Sequence, residues 1–217
     1  MNPRSAGVSP ARSPDAGETP ALRFAGLVLA GGRSTRFGGE KAVAHLRGKP
    51  LMLWCADALR GVCETVAINA RPGSEAESLA KSLDFDVLYD NPAHPAGPLA
   101  GVAAGLAWAK ARGFDGVVTL PCDTPLVRPD DLGRLITALN EGGRPAAHAV
   151  ADGRAQGLCA VWRADLCEPL NARLDAGDHP AVHRWLEELG AAPVAFADAA
   201  RFRNINTRQD LGALETA

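Results

Sequence analysis

Positive charge is not in excess in this chain: 23 Lys and Arg face 25 Asp and Glu, giving a formal net charge of −2 and a sequence pI of about 6.2. A broad basic surface of the kind that neutralises nucleic-acid phosphates is therefore excluded, and any anion must be held locally. No uninterrupted apolar run approaches the roughly 20 residues of a membrane-spanning helix, and the N-terminus lacks the apolar stretch of a signal peptide. The five cysteines (Cys55, Cys63, Cys122, Cys159 and Cys167) form no C-x-x-C pair and are odd in number, which points away from a zinc site or a disulfide framework. His45, His94, His148 and His183 show no metal-ligand spacing, and Trp54, Trp108, Trp162 and Trp185 lie in apolar segments that suit a core. The expectation is a soluble, cytoplasmic protein with reduced thiols and neither nucleic acid nor membrane as partner.

What is present is alternation. Residues 1–22 are rich in Pro, Ser, Ala and Gly and read as a disordered tail, because they offer too little apolar surface to offset the entropy of ordering. From Phe24 onward, short Val/Leu-rich runs at 24–30, 65–69, 85–89 and 116–120 alternate with helical patterns at 51–60, 75–83 and 99–112. Gly113 follows the last of these as a C-terminal cap. Strands are further expected at 146–151, 158–162 and 193–197, and helices at 165–174, 180–189 and 207–214. Continuous apolar strands separated by helices predict one α/β domain over 23–217, a Rossmann-like three-layer sandwich around a mostly parallel sheet. Ligands of such a sheet bind at the carboxyl ends of its strands.

The first strand runs into LVLAGGRSTRFGGEK, residues 27–41. A Walker A loop requires G-x-x-x-x-G-K followed by Ser or Thr, but here Lys41 follows Glu40 and precedes Ala42. The dinucleotide pattern G-x-G-x-x-G is absent too. Glycines nevertheless let backbone N–H groups approach an anion, and Arg36 and Lys41 could balance a polyphosphate; the alternative is a solvated loop with no ligand. A second cluster, LPCDTPLV at 120–127, ends a strand with Asp123, where a carboxylate suits Mg²⁺ held against substrate phosphates. The competing reading is that Asp123 only caps the turn into Pro125, as Asn69 and Asp90 could also be ordinary turn residues at their strand ends.

In order along the chain, these segments resemble the molybdenum cofactor guanylyltransferases. The resemblance rests on LAGG followed by R-F-G-G-E-K, on GKPL at 48–51, on Asn69-Ala70, on Asp90-Asn91 ahead of G-P-L-A-G at 97–101, on P-C-D-T-P at 121–125, and on N-I-N-T at 204–207. It implies transfer of GMP from GTP to molybdopterin with Mg²⁺ as cofactor. Leu29, Ala30, Gly31 and Gly32 would line the GTP site, Arg36 and Lys41 would approach the phosphates, and Asn69 and Asp90 would contact the nucleotide. Asp123 would be the metal ligand, Gly97 and Gly101 would let backbone pass close to a ligand, and Asn204 and Asn206 would lie near the reacting groups. The resemblance also brings in molybdenum-inserting and molybdoenzyme-chaperone proteins as candidate partners. Where family members usually carry a basic run, this chain reads G-D-H-P-A-V-H-R at 177–184, leaving His179 and Arg184 as candidates for the molybdopterin phosphate. Two other readings share the fold. A cytidylyl-transferring relative generally reads L-A-A-G in the first loop, and a GTP-binding protein without catalysis would keep the fold alone.

Overall fold

The computed structural model describes residues 22–32 and 37–215. Most of the residues expected to form a disordered tail lie outside this range, as does Arg36; Leu22 is described and packs, half-buried, against the core.

Strand β1 (Phe24–Leu29) has the composition of a strand covered on both faces, and five of its six residues are buried. It pairs in parallel with β4 (Val66–Asn69) on one side and β6 (Gly116–Pro121) on the other. Before β4 come a two-residue hairpin, β2 (His45–Leu46) and β3 (Lys49–Pro50), and helix α1 (Leu51–Arg60). Helix α2 (Glu75–Ser82), edge strand β5 (Asp86–Leu88) and helix α3 (Pro98–Ala111) fill the interval to β6. Then follow α4 (Pro129–Gly142), β7 (Ala146–Ala151), β8 (Arg154–Arg163), α5 (Cys167–Asp175), α6 (Val182–Glu188), β9 (Ala192–Phe196) and α7 (Arg208–Glu215). The main sheet has seven strands in the order β5-β4-β1-β6-β8-β7-β9.

The mostly parallel three-layer architecture follows as expected, and β8 is the strand that runs against its neighbours. Its direction is local in origin: Asp152 and Gly153 have φ of 50° and 67°, the left-handed pair of a tight hairpin turn, and so short a connection cannot join parallel strands. Strand β8 is also longer than the sequence suggests, because its polar first half, Arg154 to Gln156, pairs with β7. Helix α4 has no counterpart among the expected elements. Its signals were nonetheless present: Pro129 at the first position, an Asp131 carboxylate that accepts from the Arg128 backbone N–H, Leu132, Leu135 and Leu139 on one buried stripe, and Gly143 in left-handed conformation at the end.

Successive residues of β1 feed two cores. Val28 packs with Met52, Cys55 and Leu59 of α1 and with Leu132 and Leu135 of α4, while Leu27 packs with Leu99, Val102 and Leu106 of α3 and with Trp162. Each fully buried Leu contributes about 1.5–3 kcal/mol. Thr119 ties the layers together: its hydroxyl accepts from Trp162 Nε1 at 2.9 Å and donates to the Leu158 carbonyl at 2.8 Å. All five cysteines are free thiols, four of them buried. Among the described residues, no helix is long and apolar enough to cross a membrane.

Candidate active site

In the strand order the chain leaves β1 toward the β4 edge and leaves β6 in the opposite direction, toward β7, so a crevice opens beyond the carboxyl ends of β1 and β6. A cleft of about 690 Å³ lies there, a volume suited to a small-molecule ligand. Parallel pairing continues past the strand ends, with the Ala30 N–H donating to the Asn69 carbonyl at 2.8 Å and the Cys122 N–H to the Leu29 carbonyl at 3.1 Å, and the segment before α7 joins them through the Ile205 N–H, which donates to the Asp123 carbonyl at 2.9 Å.

At the floor, Lys41 Nζ donates to Asp123 Oδ2 at 2.8 Å and to Asn206 Oδ1 at 3.3 Å. The two charged side chains are 12% and 16% exposed, and residues 82 positions apart in the chain thus meet in one protected ion pair. Asp123 is not spent on capping its turn. That role falls to Thr124, whose N–H and hydroxyl both donate to the Pro121 carbonyl. Asp123 Oδ1 is buried and has no hydrogen-bond partner among the described residues, which in a polar cleft marks a place for a ligand. Asn206 is held by the turn that follows it: Asp210 accepts from the backbone N–H groups of Asn206 and Thr207 and from the Thr207 hydroxyl, and these bonds draw its pKa below the usual carboxylate value.

The other end of the cleft is built around Asn69, which is 4% exposed. Its amide nitrogen donates to Asp90 Oδ1 at 2.9 Å and to the Leu88 carbonyl at 3.3 Å. Its amide oxygen faces two glycines: a Cβ on Gly101 would lie 2.6 Å from it, and one on Gly31 would lie 3.2 Å away. Any side chain at Gly101 therefore moves Asn69, and with it the Asp90 carboxylate. Beneath the floor, burial pushes the Cys122 and Cys159 thiols up to about 12, with the Asp123 charge adding to the effect. Both stay protonated at neutral pH and supply no thiolate nucleophile.

Residues 26–193 match the MobA-like NTP transferase domain. This chain belongs to that family. It is 41% identical over 196 residues to a molybdenum cofactor guanylyltransferase of Cereibacter sphaeroides, covering 90% of this chain and 97% of that one. Identity to a protein of the same description from Acidiphilium cryptum is 36% over 191 residues, covering 87% and 92%. The crystal structure of molybdopterin-guanine dinucleotide biosynthesis protein A from Archaeoglobus fulgidus aligns with a TM-score of 0.73 at 25% identity, covering 88% of this chain and 97% of that one. The protein is thus a nucleotidyltransferase.

In this nucleotidyltransferase, Leu29, Gly31, Gly32, Lys41, Asn69, Asp90, Gly97, Gly101, Asp123 and Asn206 all line the one cleft. Ala30 does not; it is 3% exposed and packs in the core. Asn204 is exposed and does not line the cleft, whereas Ile205 between the two asparagines is fully buried and anchors the segment. Over Gly97 the close neighbour is the His179 imidazole, 2.3 Å from where a Cβ would stand, and His179 Nε2 accepts from the Leu99 N–H at 3.3 Å. Arg184 lies exposed on α6, paired with Glu188 at 3.5 Å. Sequence reasoning passed over Arg71, which also lines the cleft two residues beyond Asn69. The i, i+2 spacing on an extended chain end was the available signal.

Proposed function

We propose that this protein transfers GMP from GTP to molybdopterin, releasing pyrophosphate and forming molybdopterin guanine dinucleotide. The observation that carries the reading is the Lys41–Asp123 pair at the strand switch point, with one Asp123 oxygen left without a partner among the described residues, in a chain 41% identical to a molybdenum cofactor guanylyltransferase. A terminal phosphate oxygen of molybdopterin attacks the α-phosphorus of GTP in line. The new P–O bond forms as the bond to the bridging oxygen breaks, and pyrophosphate leaves with the electron pair. Both reactants are anions, so the protein acts by positioning them and balancing charge. Lys41 and Arg36 are the cations we assign to the phosphates, and Asn69 and Asp90 the polar contacts to the nucleoside.

Mg²⁺ is the metal we assign to Asp123. Among the described residues, no cluster of three or more His, Cys, Asp or Glu able to hold a metal occurs, and Asp123 Oδ1 is a hard, buried oxygen without a hydrogen-bond partner. One carboxylate completed by substrate phosphates and water is the donor set Mg²⁺ favours. When bound, the ion would supply charge neutralisation at the α-phosphate. The preference for GTP over CTP is supported by Gly31, where a methyl group would press on the Asn69 oxygen at 3.2 Å. Residues 23–217 would act as one catalytic unit, with proteins that insert molybdenum or deliver the product as its partners.

The test is pyrophosphate release by the purified protein with molybdopterin, Mg²⁺ and either GTP or CTP. Turnover with GTP, at higher kcat/KM than with CTP, is the expected outcome. CTP preference would reassign the nucleotide, and GTP binding with no turnover would remove the enzymatic reading.

A further inference from the structure

We infer that Glu40 is a positioning residue that fixes Lys41 by clamping its loop onto the N-terminus of α2. Glu40 Oε2 accepts from the Glu75 N–H at 2.7 Å, and Oε1 accepts from the Ala76 N–H at 3.1 Å. Both carboxylate oxygens are thus committed to the first turn of a helix 35 residues further along the chain. On the other side of Lys41, Ala42 is 1% exposed in the main core, and the Ala44 N–H closes a short turn onto the Lys41 carbonyl at 3.0 Å. Lys41 is therefore pinned at both neighbours, and its amine reaches Asp123 and Asn206 from a fixed base.

Helix stability alone does not account for the arrangement. The α2 N-terminus already carries Ser74 as its cap, whose hydroxyl accepts from the Glu77 N–H at 3.1 Å, and two acidic residues, Glu75 and Glu77, in its first turn. A third carboxylate adds like charge beside those two, while the positive end of the helix dipole is already complemented. What Glu40 adds is a side-chain tie between the loop after β1, which carries Lys41, and the first turn of the helix that follows β4, the strand that ends at Asn69. Gly38, with φ of 75°, and Gly39 precede it and give this part of the loop no side-chain anchor of its own. The sequence Glu-Lys is then one device: the carboxylate docks the backbone and the amine is delivered to Asp123.

The inference rests on the guanylyltransferase reading for its activity readout, so the test includes a second readout that needs no turnover. Three variants, Glu40→Ala, Glu40→Gln and Ser74→Ala, are compared with the parent protein. For each, the melting temperature, the kcat and KM for GTP, and the reactivity of the Lys41 amine toward a small acylating reagent, read by peptide mass spectrometry, are measured. Ser74→Ala weakens the same helix end without touching the loop. It is expected to lower the melting temperature while leaving kcat and Lys41 reactivity within about twofold of the parent. Glu40→Ala is expected to lower kcat by up to about 100-fold and to raise Lys41 reactivity at a similar melting temperature. Glu40→Gln keeps an acceptor for one N–H and should fall between, which also covers poor folding of the alanine variant. Unchanged Lys41 reactivity in both Glu40 variants would overturn the inference, as would equal kcat losses in Ser74→Ala and Glu40→Ala. If the parent shows no turnover, the functional reading fails, and the acylation result still decides the positioning claim.

Discussion

Replacing Gly101 by alanine should separate stability from ligand binding at this site. Gly101 lies within α3, where alanine is favoured over glycine by up to about 1 kcal/mol. Against that gain, the added methyl group would meet Asn69 Oδ1 at 2.6 Å and Leu29 Cδ2 at 3.0 Å, and crowding of this kind costs about 1–3 kcal/mol. The net change in stability is then a loss of up to about 2 kcal/mol. Asn69 must move to admit the methyl group, and its bond to Asp90 at 2.9 Å is given up. Hydrogen bonds to charged groups are worth about 1.5–3 kcal/mol, so GTP affinity should fall by about tenfold or more if Asp90 contacts the nucleotide. Urea denaturation and calorimetric titration with GTP measure the two quantities. Gly133→Ala serves as the reference, since no atom of the described residues lies within 4 Å of its added Cβ in α4, and it should gain stability with binding unchanged. Asn69→Ala combined with Gly101→Ala should recover part of the stability but not the affinity, because the contact with the Asn69 oxygen disappears while that with Leu29 remains and the polar contact is still missing. Parental GTP affinity in Gly101→Ala, at reduced stability, would refute the assignment of Asn69 and Asp90 to the nucleotide.

Asp123→Asn keeps the shape of the cleft floor but removes the charge that faces Lys41, and turnover should fall by about 10²-fold or more with the fold intact; full activity with Mg²⁺ would contradict a metal role. Thr119→Val leaves Trp162 Nε1 buried without its acceptor and should cost about 1–3 kcal/mol in urea denaturation, with GTP affinity unaffected. The Glu77 carboxyl is held down to about 2 by bonds from Lys81, the Tyr89 hydroxyl and the Gly73 N–H. Because the folded form binds its proton more weakly than the unfolded chain does, its stabilising effect is present above the ordinary carboxylate pKa and is lost as pH falls toward 2. Glu77→Gln should therefore flatten the fall in melting temperature between about pH 4.5 and pH 2.

Much of the architecture was legible because it is written in local patterns. The strands around β1 are continuous apolar runs, and Gly113 stops α3 in a left-handed conformation, φ 73°, as a cap does. Helix α4 escaped notice although its Pro129 start and leucine stripe are ordinary helix signals. The polar half of β8 could not be read as strand from its own residues, because its pairing with β7 supplies the reason. At the site, residue types could be chosen but not their company. Nothing near Asp123 in sequence announces Lys41 or Asn206, and nothing near Gly97 announces His179.

By itself the sequence determined the α/β class, the glycine-rich loop at the end of its first strand, and the family, since apolar periodicity and motif order are properties of neighbouring residues. Only the tertiary structure decided that one Asp123 oxygen holds Lys41 while the other has no partner among the described residues, that Asn69 is wedged between Gly31 and Gly101, and that Glu40 caps a helix far along the chain. These are contacts between segments that meet only when parallel strands align their carboxyl ends. Their distances are set by packing across the sheet, which no local pattern encodes.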